Sequence, residues 1–102
     1  MFDLDLKTVT AADFSPHLDE AFAIRYDGGE LKVVLVEVTE QNRDDVPAGH
    51  RAPFSIVFVG PRSPWLQQGI YEVVNAAMGA AALFLVPIMS DSQGQRYEAI
   101  FT

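Results

Sequence analysis

The stretch "EAFAIRYDGGELKVVLVEVTEQ", residues 20–41, decides the fold. Phe22, Ile24 and Tyr26 alternate with Ala23 and Arg25, the period of a half-buried strand and not of a helix. Asp27-Gly28-Gly29 supplies residues that tolerate positive φ, which a tight hairpin turn requires. Leu31, Val33 and Leu35 resume the alternation on the return strand. Val36 and Val38 then fall on the opposite parity. That predicts a β-bulge, or a strand buried on both faces, between Val34 and Val38.

Working outward from the hairpin, the same period recurs. "PFSIVFVG" (residues 53–60) alternates through Phe54, Ile56 and Phe58. "GIYEVVN" presents Tyr71 and Val73, and "AAALFLVPIM" is nearly continuous and apolar. "RYEAIFT" closes the chain with Tyr97, Ala99 and Phe101. Polar or glycine-bearing turns separate these runs, the longest being "QNRDDVPAGHRA" (residues 41–52). One segment reads as helical: Thr10 is placed as an N-cap with Asp13 at N3, and Pro16 restricts the helix to a short turn. Phe14 and Leu18 would share one face of that turn and cap one end of a β core. Six strands with short connections predict an all-β fold, a six-stranded antiparallel barrel or tight sandwich with a short N-terminal helical turn. Closure removes the greasy edges that would otherwise aggregate. The chain reads as one domain over residues 1–102, with an N-terminal segment at 1–18 and a β core at 20–101. The expected core is Phe14, Leu18, Phe22, Ile24, Leu31, Val33, Leu35, Phe54, Ile56, Phe58, Tyr71, Val73, Leu83, Leu85, Tyr97, Ala99 and Phe101.

Composition narrows the function. At 102 residues and 49% hydrophobic, the chain can bury one small core. Its formal net charge is −7, and its seven Lys and Arg residues are scattered, so a nucleic-acid footprint is missing. With no cysteine, disulfides, thiol catalysis and Cys-based zinc sites are excluded. The acidic, alternating start "MFDLDLKTVTAADF" lacks the charge and apolar run of a signal peptide. The most apolar stretch, residues 76–89, is too short to span a bilayer and contains Gly79 and Pro87. We therefore expect a soluble, cytoplasmic protein with no membrane and no nucleic-acid partner.

Catalytic and metal signals are weak. His17 and His50 stand far apart without ligand spacing, and the acidic residues around them (Asp13, Asp19, Asp44, Asp45) form no recognised set. Asp3 and Asp5 with Asp44 and Asp45 lack the glycine-containing calcium loop. Ser55 sits mid-strand, and Ser15, Ser63, Ser90 and Ser92 sit in turns where hydroxyls bond local backbone. The acidic pairs Asp19-Glu20, Glu37 with Glu40, and Asp44-Asp45 read as solvated surface charge. A filled small barrel has little room for the cleft that paired-carboxylate chemistry needs. No enzyme, no cofactor and no metal is expected.

One loop has the composition of a recognition patch. In "GPRSPWLQQG" (residues 60–69), Trp65 is the chain's single tryptophan, flanked by Arg62, Gln67 and Gln68. Trp and Arg are enriched where interfaces concentrate their energy. Pro61 and Pro64 restrict the loop, so our first reading is that Trp65-Leu66 folds down as a lid on the core. Contact with a partner, or a small ligand, are the alternatives. The binding residues to test are Arg62, Trp65, Gln67 and Gln68.

Taken in order, "DGGELKVVLVEV", "PFSIVFVGPRSPWLQQGIYEV", "LFLVPI" and "RYEAIF" resemble a small bacterial domain family of unknown function. The resemblance spans residues 14 to 101. It implies a compact all-β unit with no known catalytic residues, and, from members near phage-tail-collar-like genes, a structural or assembly role. "NAAMG" (residues 75–79) departs from the family's more polar turn. The reading we favour is a non-enzymatic structural or protein-interaction module, with phage-tail-like assembly as a process. The alternative is a small-ligand or carbohydrate binder or enzyme using a cleft near Trp65. Because residues 81–89 are apolar on both parities, we also expect a homo-oligomer covering the second face, around Leu83, Leu85, Phe84 or Val86. The N-terminal segment, through Phe2, Leu4 and Leu6, is the other cover.

Overall fold

Why the alternating runs close into a cylinder is visible in a computed structural model, which describes residues 6–41 and 51–102. The strands are β1 (Ala21–Tyr26), β2 (Gly29–Glu40), β3 (Phe54–Gly60), β4 (Gly69–Asn75), β5 (Gly79–Asp91) and β6 (Gly94–Phe101). They pair antiparallel in the order β1-β2-β3-β6-β5-β4, and β4 returns to β1, giving a closed barrel and not a sandwich. β5 makes closure possible. Its first half, Gly79 to Leu85, pairs with β4, and its second half, Val86 to Asp91, pairs with β6. One long bent strand thus serves as a corner, with a register shift between Pro87 and Met89. The bulge expected in β2 lies between Leu35 and Glu37.

The turns follow the residues that permit them. At the β1–β2 hairpin Tyr26 pairs with Gly29 around Asp27-Gly28. The positive φ falls on Gly29 (145°), not on Asp27 or Gly28. At β5–β6 the equivalent residue is Gly94 (φ 137°), where a Cβ would collide with the Gly60 carbonyl oxygen of β3. That close approach requires glycine.

Inward-facing side chains of all six strands fill the interior. Ile24, Leu35, Ile56, Phe58, Leu85 and Tyr97 are fully buried. The end of the barrel near the N-terminus is closed by α1 (Ala11–Phe14) and a 3₁₀ turn at Ser15–His17. The Thr10 N–H donates to the Asp13 carboxylate at 2.8 Å, the capping arrangement expected from the sequence. Phe14 packs against Phe54 and Phe101 at 5.9 and 5.7 Å, and those two rings stack at 4.5 Å. The Arg51 guanidinium lies over Phe54 and Phe101 and donates to the carbonyls of Leu6, Val9 and Thr102. One cation thereby ties the N-terminal segment and the end of β6 to the barrel.

Two expected core residues differ. Leu18 is 40% exposed, because the helical turn ends at His17 and the chain turns over at Asp19 (φ 71°), directing Leu18 to solvent. Tyr71 is half-buried, at the rim, where its hydroxyl donates to the Gln67 carbonyl at 2.6 Å. Val9, Ala11, Leu66 and Ala81 join the core instead, and Ala52 and Val57 are buried outside that cluster. Expectations resting on Phe2, Asp3, Leu4, Asp5, Asp44, Asp45 and His50 lie outside the described residues. No helix among the described residues is long and apolar enough to cross a membrane.

Candidate functional site

The β3–β4 loop, residues 61–68, crosses the end of the barrel opposite α1. It is anchored by hydrogen bonds from both sides. The Leu66 N–H donates to the buried Tyr97 hydroxyl at 2.9 Å, and the Leu66 side chain is buried with the core. The Arg62 guanidinium donates twice to the Asp91 carbonyl, once at 2.9 Å. Burial pushes the Tyr97 phenol above its ordinary range, opposed by the hydrogen bond from Leu66. The Asp91 carboxyl is held below its ordinary range, first by the Gln93 N–H and then by Arg96 at 3.0 Å.

This geometry separates the two residues of the expected lid. Leu66 is the plug. Trp65 is 55% exposed and points away from the core, which corrects the reading of Trp65 itself as the lid. The physical reason is alternation: once Leu66 enters the core and its N–H meets Tyr97, its neighbour faces outward. Arg62, Trp65, Gln67 and Gln68 all lie on the exposed loop. Arg62 is committed to Asp91, and the Gln67 carbonyl is committed to Tyr71. Trp65 and the amides of Gln67 and Gln68 are the groups presented to solvent.

A second feature lies on the outer wall. On β4, β5 and β6 the outward positions should be polar, yet Ile70, Phe84 and Ile100 are 73%, 52% and 67% exposed. Ile70 pairs directly with Phe84 across β4–β5. Phe84 and Ile100 both line a groove of about 230 Å³ between β5 and β6, together with Leu6, Arg51 and Thr102. Ile100 pairs with Ser55, which pairs with Thr39. These three line another groove of about 260 Å³, with Pro53, Phe54 and Glu98. Ile100 is therefore a ridge between two hollows. Leu83 and Leu85 face the core, whereas Phe84 is outside.

The sequence carried a signal for this wall. Ile70 and Ile100 occupy the parity opposite to Val73 and Tyr97, so they could not enter the same core. Neither groove includes Arg62, Trp65, Gln67 or Gln68. Among the described residues no group of three or more His, Asp or Glu side chains converges on a metal-sized space. His17 is engaged with Glu20 at 2.8 Å, and the Ser15 hydroxyl donates to the Ala11 carbonyl, so these two form no catalytic pair.

No curated protein and no solved structure matches the chain. A family model described as a domain of unknown function, DUF6916, matches residues 9–101, and the chain belongs to that family.

Proposed function

We propose that this domain is a non-enzymatic structural or protein-interaction module that joins a protein partner through the outer wall of β4, β5 and β6. The observation that carries this reading is the exposed row Ile70, Phe84 and Ile100, apolar side chains at positions where a solvated wall places polar ones. The filled interior supports it too, since the barrel holds side chains where a ligand-binding barrel holds space. The net charge of −7 favours protein over nucleic acid as the partner. The family resemblance points such a joining role toward assembly of a phage-tail-like structure.

The test is affinity capture from the native host with wild-type protein and Phe84→Glu as paired baits. A protein identified with the wild type and lost with the variant supports the module. Identical retained sets for the two baits overturn it. Both baits must first show the same thermal midpoint.

A second reading, a small-ligand or carbohydrate binder or enzyme at the β3–β4 loop, is favoured by the exposed Trp65 beside Gln67 and Gln68. Because Trp65 is the single tryptophan, fluorescence titration with a panel of mono- and disaccharides reads that loop alone. Saturable changes lost in Gln67→Ala would favour this reading, and flat titrations would sink it.

A further inference from the structure

The groove of about 260 Å³ on the outer wall of β2, β3 and β6 carries an unbalanced charge. Its apolar side is Pro53 and Ile100, its polar side is Thr39, Gln41, Ser55 and Glu98, and the inward-facing Phe54 lies beneath it. Glu98 is half-buried. It projects from β6 between Val86 and Val57, its cross-strand partners, and forms no ion pair among the described residues. A protein surface laid over the exposed ridge of Ile100 would take this carboxylate out of water. Such a group must then be paired by the incoming surface or the contact loses affinity.

From this geometry we infer that the groove is a socket for a lysine or arginine side chain of the partner protein. The inference rests on the interaction-module reading and names what the partner brings. A long cationic side chain has the matching two-part chemistry, an aliphatic stem and a charged head. The stem lies along Pro53 and Ile100. The head meets the Glu98 carboxylate and the hydroxyls of Ser55 and Thr39, all of them acceptors. Flanking apolar side chains of the partner cover Phe84 and Ile70.

Charge also weighs against a second copy as the occupant. Arg51, which lines the groove on the other side of the same ridge, is spent on the carbonyls of Leu6, Val9 and Thr102. Arg62 and Arg96 are tied to Asp91, and Arg25 to Glu30 and Glu72. Lys32 is exposed on β2 opposite Ala23 of β1, toward the β1–β2 hairpin and away from Thr39 at the groove. Two chains each carrying −7 also repel before they meet.

The test uses two synthetic pentapeptides with free ends blocked, Leu-Val-Lys-Val-Leu and Leu-Val-Glu-Val-Leu, titrated into the ¹⁵N-labelled full chain. The lysine peptide should shift the amides of Ser55, Val57, Glu98 and Ile100 and bind at least about tenfold more tightly than the glutamate peptide, the discrimination expected from one well-placed charge pair. Glu98→Gln should remove that preference with an unchanged thermal midpoint, and Glu98→Lys should reverse it. Equal binding of the two peptides, or a lysine preference that survives Glu98→Gln, overturns the socket. So does a homodimer by sedimentation equilibrium that Ile100→Glu dissolves. If the peptides fail while a host protein is still retained in a Phe84-dependent way, the socket falls and the interaction module stands.

Discussion

Replacing Leu66 with alanine should cost far more stability than replacing its larger neighbour Trp65, although composition alone would rank them the other way. The Leu66 side chain is 6% exposed and closes one end of the barrel. Truncating a buried leucine removes its transfer free energy and leaves a cavity, at about 2–5 kcal/mol. The lower half of that range applies, because a plug at a barrel end can be partly replaced by water and by movement of the loop. We therefore expect about 3 kcal/mol. For a domain whose total stability is about 5–15 kcal/mol, that is a large share. Trp65→Ala removes a side chain that is 55% exposed, whose indole makes no hydrogen bond among the described residues, and should cost about 1 kcal/mol or less. Urea unfolding followed by circular dichroism checks both variants. Leu66→Ala should lower the midpoint with an unchanged slope, since the surface exposed on unfolding barely changes. Equal losses for the two variants, or a larger loss for Trp65→Ala, would refute the assignment of plug and contact residue.

Three further outcomes follow from the same geometry. Acrylamide should quench native Trp65 fluorescence efficiently, with an emission maximum close to that of the urea-unfolded chain. A blue-shifted, protected indole would place Trp65 inside. Gly94→Ala should destabilise by about 2–5 kcal/mol, from a left-handed backbone and a collision with the Gly60 carbonyl, whereas alanine at Gly29, which meets nothing within 4 Å, should cost only the backbone strain; equal midpoints for the two glycine variants would contradict this. The Tyr97 phenol has a folded-state pKa raised above its ordinary value of 10.0, chiefly by burial. Its contribution is fully present below pH 10.0 and is lost as pH rises through the raised value. Thermal melts should fall as pH rises above 10.0 in wild type and less so in Tyr97→Phe, itself destabilised by about 1–3 kcal/mol because the Leu66 N–H loses its acceptor.

The fold was legible because alternation and turn residues agree wherever one strand follows another. Phe22-Ile24 and Leu31-Val33-Leu35 can only be paired around Asp27-Gly28, and the parity break at Val36 demanded the bulge found between Leu35 and Glu37. Long-range features were less legible. Barrel rather than sandwich depends on β4 returning to β1 through Ala23, Ile24 and Arg25, and no local pattern encodes which strand meets which. Leu18 was misplaced because helical spacing from Phe14 was extended through a turn that Pro16 and Asp19 end. The Arg51 clamp was invisible, since its carbonyl acceptors at Leu6, Val9 and Thr102 are more than forty residues away and backbone oxygens carry no sequence signature.

The candidate site reverses the usual expectation about rare residues. Trp65 draws attention by type, but the loop beside it spends its strongest groups on holding itself down: Arg62 on Asp91, Leu66 on Tyr97, and the Gln67 carbonyl on Tyr71. The wall of Ile70, Phe84 and Ile100 is built from common residues whose only peculiarity is parity. In a closed barrel each strand has one inward set, and Val73, Leu83, Leu85, Tyr97, Ala99 and Phe101 already fill it on β4 to β6. An isoleucine on the other parity cannot be rescued by repacking, because a one-residue slip would expel the whole inward set. Each such residue is thus fixed to solvent by the stability of the core behind it. A sheet wall that keeps Ile70, Phe84 and Ile100 there, with Glu98 at their edge in no ion pair among the described residues, has given up solubility at that patch, and contact with another protein is the compensation the geometry permits.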